Sequence, residues 1–206
     1  MDHLRQAAFE QVTTMKGKSN AAATAGACHN FSIHWASMMC LDQPRTPAER
    51  MKALGARGGE ANPVLQKAYV DAFGESGRDW TTADNLGVAI RGLTRVEYCI
   101  PFASFDEAAF MKIVNAPKHD AMIYSFSFPG SVVGAGGGTH TIAFFRKLQG
   151  RRGQVSPTGT QISAFDPNFG EYLVPSAGFG EWFRKLKDEY TGTFTTQRMM
   201  YLKENK

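Results

Sequence analysis

The 206-residue sequence lacks the features that would place it in a membrane or on a nucleic acid. No run approaches the ~18 apolar residues that a membrane-spanning helix needs. The N-terminal residues are polar where a secretory signal has its apolar centre, so we expect no such signal. The 23 basic and 19 acidic side chains give a net charge of +4. Since the basic residues are scattered, no nucleic-acid partner is predicted.

Cysteine is scarce, and the three that occur suit a reducing compartment. Cys28 and Cys40 would lie ~18 Å apart on one helix, well beyond the ~7 Å Cα separation that a disulfide tolerates. There is no CxxC pair, and the five histidines have no HExxH or comparable spacing. We therefore expect neither a disulfide framework nor a metal site, and no cofactor.

The first half of the sequence has helical periodicity. Helices are predicted for an amphipathic start from Leu4 to Met15, for the segment that begins at Cys28, for about 48–56, 62–74 and 82–92, and through Val114 behind a capping box from Ser104 to Glu107.

The second half changes to strands separated by turn residues, so the sheet should be mainly antiparallel. Strands are predicted for Ala121 to Phe128, Thr139 to Leu148, Gln161 to Asp166, Glu171 to Val174 and Thr193 to Leu202, with one amphipathic helix from Gly180 to Tyr190. Helices followed by antiparallel sheet define the α+β class. Because no repeat or break in composition divides the chain, we expect one domain, residues 1–206.

A glycine-rich run, Gly130 to Gly138, is not a phosphate loop. It lacks the Lys-Ser/Thr ending and leads into a strand instead of a helix. We interpret it as a connection between two strands. If it takes part in function, close approach of an extended substrate or a mobile lid fits it better than phosphate binding.

Two of these strands bring a histidine and an aspartate into register. His140 opens the first strand after the glycine run, and Asp166 closes the next long strand. If the two strands are antiparallel neighbours, Asp166 lies opposite His140 and can hold its imidazole by a hydrogen bond. An oriented base of this kind is two thirds of a nucleophilic triad. Taken alone, Asp166 before Pro167 would be an ordinary turn residue.

Cys28 fits the remaining role, that of the nucleophile. It begins a helix behind the small residues Ala25 to Ala27, and the free N–H groups and dipole of a helix N-terminus favour a thiolate. Cys40, at the far end of the same helix, should have a raised pKa. Cys99 lies in an apolar strand pattern, and we interpret both as structural.

Three short blocks resemble the YopT-type cysteine proteases, bacterial effector enzymes of the papain-like superfamily. They are GACHNFSIHW from Gly26, GTHTIA from Gly138 and FDPNFGEY from Phe165. The resemblance implies a papain-like fold in which the nucleophile helix packs on the sheet. It assigns the nucleophile to Cys28, the base to His140 and the orienting carboxylate to Asp166.

The sequence also departs from that family. A polar insert from Gln149 to Gly159 should extend the hairpin between His140 and Asp166, and only 27 residues precede Cys28, so self-processing is not expected. The resemblance implies an oxyanion-hole side chain just upstream of the nucleophile. Asn20 is the nearest candidate, Ser19 and Thr24 are weaker donors, and the backbone N–H of Cys28 would be the second donor.

The resulting hypothesis is an effector-type protease that cleaves a peptide bond in a target-cell protein through an acyl-enzyme thioester. In it we expect Asn168 to hydrogen-bond behind Asp166, and Trp35 to pack beneath the site. A deamidase, acyltransferase or cell-wall peptide amidase toxin could use the same triad, and a binding domain with a vestigial site is a third reading.

The two enzymatic readings share their partners and their location. We expect a protein or peptide substrate, with room for a cognate inhibitor or chaperone and for peripheral membrane contact. The protein would be made in the bacterial cytoplasm and delivered by a specialised secretion system into a host cell or a rival bacterium. Family members that cut prenylated small GTPases face basic tails, and the basic net charge of this chain weighs against that substrate.

Overall fold

A computed structural model of the chain describes residues 1–16, 27–41, 46–129, 138–151, 154–157 and 160–205. The helices are α1 (Gln11–Met15), α2 (Cys28–Cys40), α3 (Pro47–Gly55), α4 (Arg57–Glu75), α5 (Trp80–Ala89), α6 (Glu107–Asn115) and α7 (Phe179–Glu189), with 3-10 turns at Asp2–Leu4 and Ser176–Gly178. The strands are β1 (Arg5–Ala8), β2 (Leu93–Ser104), β3 (Ala121–Phe128), β4 (Gly138–Phe145), β5 (Leu148–Arg151), β6 (Gln154–Pro157), β7 (Gln161–Asp166), β8 (Gly170–Pro175) and β9 (Thr196–Glu204).

Seven strands form one sheet in the order β1-β8-β7-β4-β3-β9-β2, and β5 pairs with β6 in a separate hairpin. Every pair is antiparallel. The α+β class is therefore confirmed. None of the described helices is long and apolar enough to cross a membrane. The assignment of residues 1–206 to a single domain stays a prediction.

The sheet is buried on both faces, because alternate residues of its central strands enter two different clusters. In β3, Tyr124 and Phe126 point toward helices α6 and α7, whose Phe110 and Phe183 lie in the same cluster. Ile123 of β3 belongs to the opposite cluster, together with side chains of α2 and α3. This two-sided burial explains why the central strands read as nearly continuous apolar runs.

The predicted N-terminal helix is wrong in its first half. Residues Arg5–Ala8 form an edge strand paired with β8, and a helix begins only at Gln11, where the Glu10 carboxylate accepts the N–H groups of Val12 and Thr13. Pairing with a sheet edge thus overrides the local helical pattern.

Close packing of β1 against β8 also explains a glycine in the turn after β7. Gly170 has φ of 115°, and a Cβ there would lie 2.1 Å from the carbonyl oxygen of Ala7. Only glycine fits this position without strain. The pairing of β1 with β8 therefore requires the glycine that ends the Asp-Pro-Asn-x-Gly turn.

The helix through Val114 exists, but its predicted cap is wrong. Ser104 remains in β2, paired with Thr196, and the Asp106 carboxylate accepts the Ala109 N–H as the cap of α6. The insert after β4 extends the hairpin as expected, through β5 and β6. The glycine run lies outside the described residues except for Gly138, which begins β4.

Candidate active site

Cys28 is the first residue of α2, with its half-buried side chain at the helix N-terminus. The N-cap residue Ala27 makes no side-chain cap, and the Gln66 amide oxygen accepts the N–H of Asn30 in the first turn at 3.4 Å. The sulfur accepts a hydrogen bond from the backbone N–H of Thr141, whose carbonyl accepts the Ser32 hydroxyl at 2.9 Å. These contacts hold α2 against β4.

His140 and Asp166 meet where β4 runs past the end of β7. The paired register stops at Ala143 opposite Phe165, one step before the Asp166 turn. The Nε2 atom of His140 lies 3.0 Å from Oδ1 of Asp166, and both side chains are buried. With Nε2 engaged in this way, Nδ1 is the ring nitrogen left to bond the Cys28 sulfur. The structure therefore brings all three predicted triad residues together.

Burial and charge act in opposite directions on the thiol and the imidazole. Burial alone would raise the pKa of Cys28, but the charge and hydrogen bond of His140 and the Thr141 N–H lower it below its ordinary value. Burial would lower the pKa of His140, yet the charges of Asp166 and Cys28 raise it to about 10. Both shifts favour a thiolate–imidazolium pair, which titrates as one coupled unit.

Tyr190 and Asn168 complete the environment of the carboxylate. The Tyr190 hydroxyl lies 3.0 and 2.9 Å from the two Asp166 oxygens, and its ring stacks on the His140 imidazole with centroids 4.8 Å apart. The backbone N–H of Asn168 donates to Asp166 at 2.8 Å, which agrees with the hydrogen bond expected in this turn. These contacts fix the position of Asp166, and through it the plane of the imidazole.

Gln11, which was not among the predicted site residues, links this environment to the residue before the nucleophile. Its amide nitrogen donates to Oδ1 of Asn168 at 2.7 Å, and its amide oxygen accepts the N–H of Ala27 at 3.0 Å. No local signal marks Gln11, which lies in another element far upstream of Cys28. The oxyanion-hole candidate Asn20, with Ser19 and Thr24, lies outside the described residues.

The other two cysteines have raised pKa values, whereas the pKa of Cys28 is lowered. Burial, together with the charges of Asp120 and Glu204, raises the pKa of Cys40 to about 12. Burial also raises the pKa of Cys99 to about 12, in strand β2 as expected. The raised pKa expected of Cys40 is thus found, and only Cys28 combines a lowered pKa with a base.

Trp35 packs beneath the site as expected. It is fully buried, and its ring stacks on Phe165, the residue before Asp166, with centroids 5.6 Å apart. Its indole N–H donates at 2.8 Å to Glu171, which also accepts two hydrogen bonds from Arg50. This polar cluster anchors the strand that follows the Asp166 turn.

Cys28 opens on a cavity of about 240 Å³ between α4, α5 and the sheet. A larger cavity of about 680 Å³ is lined by Cys40 and His119, away from the triad. Because Cys28, the neighbour of His140, lines the smaller cavity, that cavity is the candidate active site. Among the described residues, no three His, Cys, Asp or Glu side chains are grouped to hold a metal ion.

The fold is that of the papain-like cysteine proteases, which confirms the architecture expected from the sequence. The chain resembles the Pseudomonas avirulence protein AvrPphB with a TM-score of 0.59 and 17% identity, over 93% of this chain and 98% of that one. It resembles the ubiquitin-specific protease of a murine cytomegalovirus tegument protein with a TM-score of 0.59 and 10% identity, over 98% of this chain and 86% of that one. The viral protease was crystallised with a ubiquitin-based suicide substrate.

The sequence points to a narrower group within this fold. The chain is 34% identical over 196 residues to a Bradyrhizobium diazoefficiens protein that is named as a candidate YopT-like cysteine protease. The match covers 87% of this chain, which spans 60% of the relative's length. No family model matches. The resemblance to the YopT-type cysteine proteases is nevertheless confirmed, and the prediction of a cysteine peptidase agrees with the names of this relative and of the viral protease.

Proposed function

We propose that the chain is an effector-type cysteine protease that cleaves a peptide bond in a target-cell protein through Cys28, His140 and Asp166. The observation that carries this proposal is geometric: Cys28 at a helix N-terminus adjoins His140, whose Nε2 lies 3.0 Å from Oδ1 of Asp166. The lowered pKa of Cys28 and the raised pKa of His140 agree with it. The names of the relatives support a protease, and the viral neighbour's complex supports a protein as the kind of substrate.

The first half of the reaction forms the acyl-enzyme. The Cys28 thiolate attacks the substrate carbonyl carbon, a C–S bond forms, and the electron pair of the C=O bond moves to oxygen. We assign the backbone N–H of Cys28 as one donor to that oxygen. His140 then gives its Nδ1 proton to the leaving amine, the C–N bond breaks, and a thioester remains.

The second half returns the enzyme to its starting state. Neutral His140 takes a proton from water at Nδ1, and the hydroxide attacks the thioester carbonyl. The C–S bond breaks, the acid leaves, and the thiolate–imidazolium pair is restored. Throughout, Asp166 holds Nε2 at 3.0 Å and keeps the ring aimed at the sulfur.

The ionisation of Cys28 is the first point to test, by the rate of iodoacetamide alkylation as a function of pH. We expect labelling of Cys28 to persist below neutral pH in the wild type. In the His140→Ala variant, burial and the Asp166 charge remain and both raise the Cys28 pKa. Labelling at pH 6 should then fall by at least ~100-fold, because a thiol with a pKa of ~8.5 is less than ~1% ionised there.

Peptide mass spectrometry locates the label in that experiment. Cys40 and Cys99, with pKa values of about 12, are the internal references and should stay unlabelled until strongly alkaline pH. An ordinary pKa for Cys28 that does not change in His140→Ala would contradict the proposed triad.

Cleavage itself is tested by sequencing protein N-termini in target-cell extracts treated with the wild type or with Cys28→Ala. New N-termini that appear only with the wild type support the protease. Conversion of glutamine to glutamate without new N-termini would replace it by a deamidase with the same triad.

We further propose that the protein is made in the bacterial cytoplasm and delivered by a specialised secretion system into a target cell. One structural relative is named as an avirulence protein, which supports this location. A reporter fused to the Cys28→Ala chain should enter target cells from bacteria with the secretion system and fail to enter from a mutant without it.

A further inference from the structure

We propose that Gln11 is a positioning residue for the reaction, which fixes the peptide group that presents the Cys28 N–H to the substrate carbonyl. The inference rests on the proposed function, in which that N–H is a donor to the oxyanion. Gln11 acts through other residues, because its side-chain hydrogen bonds end at Ala27 and Asn168.

The backbone of Gln11 is itself anchored to the turn that carries the catalytic carboxylate. Gln11 is the first residue of α1, and its N–H donates to the carbonyl of Pro167 at 2.8 Å. Its side chain is buried, and a carboxamide in such a place needs hydrogen-bond partners to offset the loss of hydration. It has two, one before the nucleophile and one behind Asp166.

The orientation of the Gln11 carboxamide follows from its partners. The N–H of Ala27 can only donate, so the atom 3.0 Å from it is the amide oxygen. The amide nitrogen then faces Oδ1 of Asn168 at 2.7 Å. Both bonds need an acceptor and a donor on one short group, which neither an apolar nor a carboxylate side chain supplies.

The bond to Ala27 reaches the nucleophile through the backbone. Ala27 is fully buried in a non-helical conformation, with φ of −126° and ψ of 25°. Its N–H is held by Gln11, and its carbonyl accepts the Phe31 N–H at 2.9 Å. Because the peptide bond is planar, a fixed Ala27 carbonyl also fixes the Cys28 N–H, which points from the other side of the same plane. Gln11 therefore restrains the direction of the oxyanion donor.

The bond to Asn168 connects this peptide with the catalytic carboxylate. The Asn168 amide nitrogen donates to the Tyr190 hydroxyl at 2.9 Å, and that hydroxyl bonds Asp166 at 2.9 Å. Asp166 holds His140, which bonds the Cys28 sulfur. The hydrogen bonds thus form a closed ring that leaves the backbone before the nucleophile and returns to its sulfur. Gln11 is the member that keeps the two ends in register.

Two reactions of the same thiolate separate positioning from a purely structural role. Alkylation by iodoacetamide displaces iodide from a saturated carbon and develops no oxyanion, whereas hydrolysis of a peptide amide does. The amide is a peptide aminomethylcoumarin amide selected from a library for turnover by the wild type. Gln11→Met keeps the length of the side chain and removes both hydrogen bonds. We expect kcat to fall by at least ~10-fold, with KM within ~2-fold and iodoacetamide labelling at pH 6 within ~3-fold.

Two further variants control for the stability of α1. Glu10→Ala removes the carboxylate that accepts the N–H groups of Val12 and Thr13, and so weakens the same helix without removing either side-chain bond of Gln11. It should lower stability and keep kcat within ~2-fold. Gln11→Asn retains a carboxamide that is one methylene too short to reach both partners. It should divide the two reactions as Gln11→Met does, and it takes that variant's place if the methionine variant does not fold.

A double variant measures the connection around the ring. Tyr190→Phe removes a different bond of the same ring, the one from the hydroxyl to Asp166. If Gln11 acts through this ring, the two losses are not independent. The loss of kcat in Gln11→Met combined with Tyr190→Phe should therefore be at least ~3-fold smaller than the product of the two single losses.

The outcomes separate this proposal from the proposed function. A smaller loss of kcat in Gln11→Met, an equal fall in iodoacetamide labelling, an equal loss of kcat in Glu10→Ala or fully multiplicative losses in the double variant would overturn the positioning role and leave the triad in place. Absence of low-pH labelling or of amide turnover in the wild type would instead remove the proposed function, and the role of Gln11 with it.

Discussion

Two buried histidine–aspartate pairs flank the nucleophile, and only one of them is arranged for catalysis. His140 hydrogen-bonds Asp166 at 3.0 Å, whereas His29, the residue after Cys28, lies 3.3 Å from Asp84 without the alignment of a hydrogen bond. All four side chains are buried. Proximity and burial alone therefore do not separate a catalytic pair from a structural one.

The difference lies in the other partners of each carboxylate. Asp84 pairs with the Arg198 guanidinium at 2.8 Å and accepts the hydroxyls of Tyr69 and Tyr98, so a permanent cation balances its charge. Among the described residues, the one ion-pair partner of Asp166 is His140. A carboxylate without a permanent cation raises the pKa of its histidine, and a carboxylate with one mainly holds elements together.

The largest effect should come from removing the permanent cation. Arg198→Met leaves Asp84 buried and uncompensated, and we expect the free energy of unfolding at pH 7 to fall by ~3–5 kcal/mol. Because the pKa of Asp84 is lowered in the fold, its contribution to stability is present above the unfolded value and is lost as the pH falls through the folded one. The difference in the free energy of unfolding between Arg198→Met and the wild type should therefore become smaller at acidic pH.

Urea unfolding measures this prediction. Lys185→Met is the matched control, since it breaks the exposed pair with Glu181 and should change stability by less than ~1 kcal/mol. A loss of less than ~1 kcal/mol for Arg198→Met as well would mean that the Asp84 cluster does not stabilise the fold.

A second prediction concerns the negative charge of Asp166 in the catalytic pair. Asp166→Asn removes the strongest cause that raises the pKa of His140 from its ordinary value of 6.5 to about 10. Turnover needs the imidazolium form of His140. The alkaline limb of the pH–rate profile should therefore move from about pH 10 toward neutrality. At pH 8 the rate should fall by at least ~10-fold.

The pH profile of kcat/KM on a peptide aminomethylcoumarin amide measures this shift. The matched variant Asp84→Asn should lose stability and keep the alkaline limb near its wild-type position. Equal shifts in both variants would contradict the division between a catalytic and a structural pair.

The smallest effect should come from the tyrosines. Tyr190→Phe keeps the ring stacked on His140 but removes the hydroxyl that bonds Asp166. We expect kcat to fall by about 10-fold with KM nearly unchanged, since a hydrogen bond to a charged group contributes ~1.5 kcal/mol or more. Tyr98→Phe removes a comparable bond to Asp84 and should lower stability while kcat stays within ~2-fold. Similar kcat values in the two variants would contradict the proposal that Tyr190 positions Asp166.

The triad residues could be predicted because local sequence carries their geometry. Cys28 follows small residues at a helix start, and β4 and β7 are antiparallel neighbours as expected. The register differs by two residues from the expected one, since it places Ile142 opposite Asp166, but the two-residue period keeps His140 on the same face and within 3.0 Å of Asp166. These inferences need only the order of elements and their ends. For the same reason the long central strands were predicted close to their observed bounds.

The surroundings of the triad could not be predicted in this way. The bond from Gln11 to Asn168 joins residues from opposite ends of the chain, and it exists only because β1 pairs with β8. The meeting of Arg198 with Asp84 depends likewise on how β9 lies against α5. Such pairings are set by tertiary packing, which also turned the predicted start of the N-terminal helix into a strand.

The placement of Cys28 and His140 on elements more than half the chain apart has a consequence for the chemistry of the nascent and unfolded chain. Without the closed sheet, Cys28 is an ordinary thiol with a pKa of ~8.5 and reacts slowly in mild acid. Its reactivity appears only when β4 docks against α2. The extent of Cys28 alkylation below neutral pH therefore measures the fraction of folded molecules. Its increase with time during refolding would measure the rate at which β4 docks against α2.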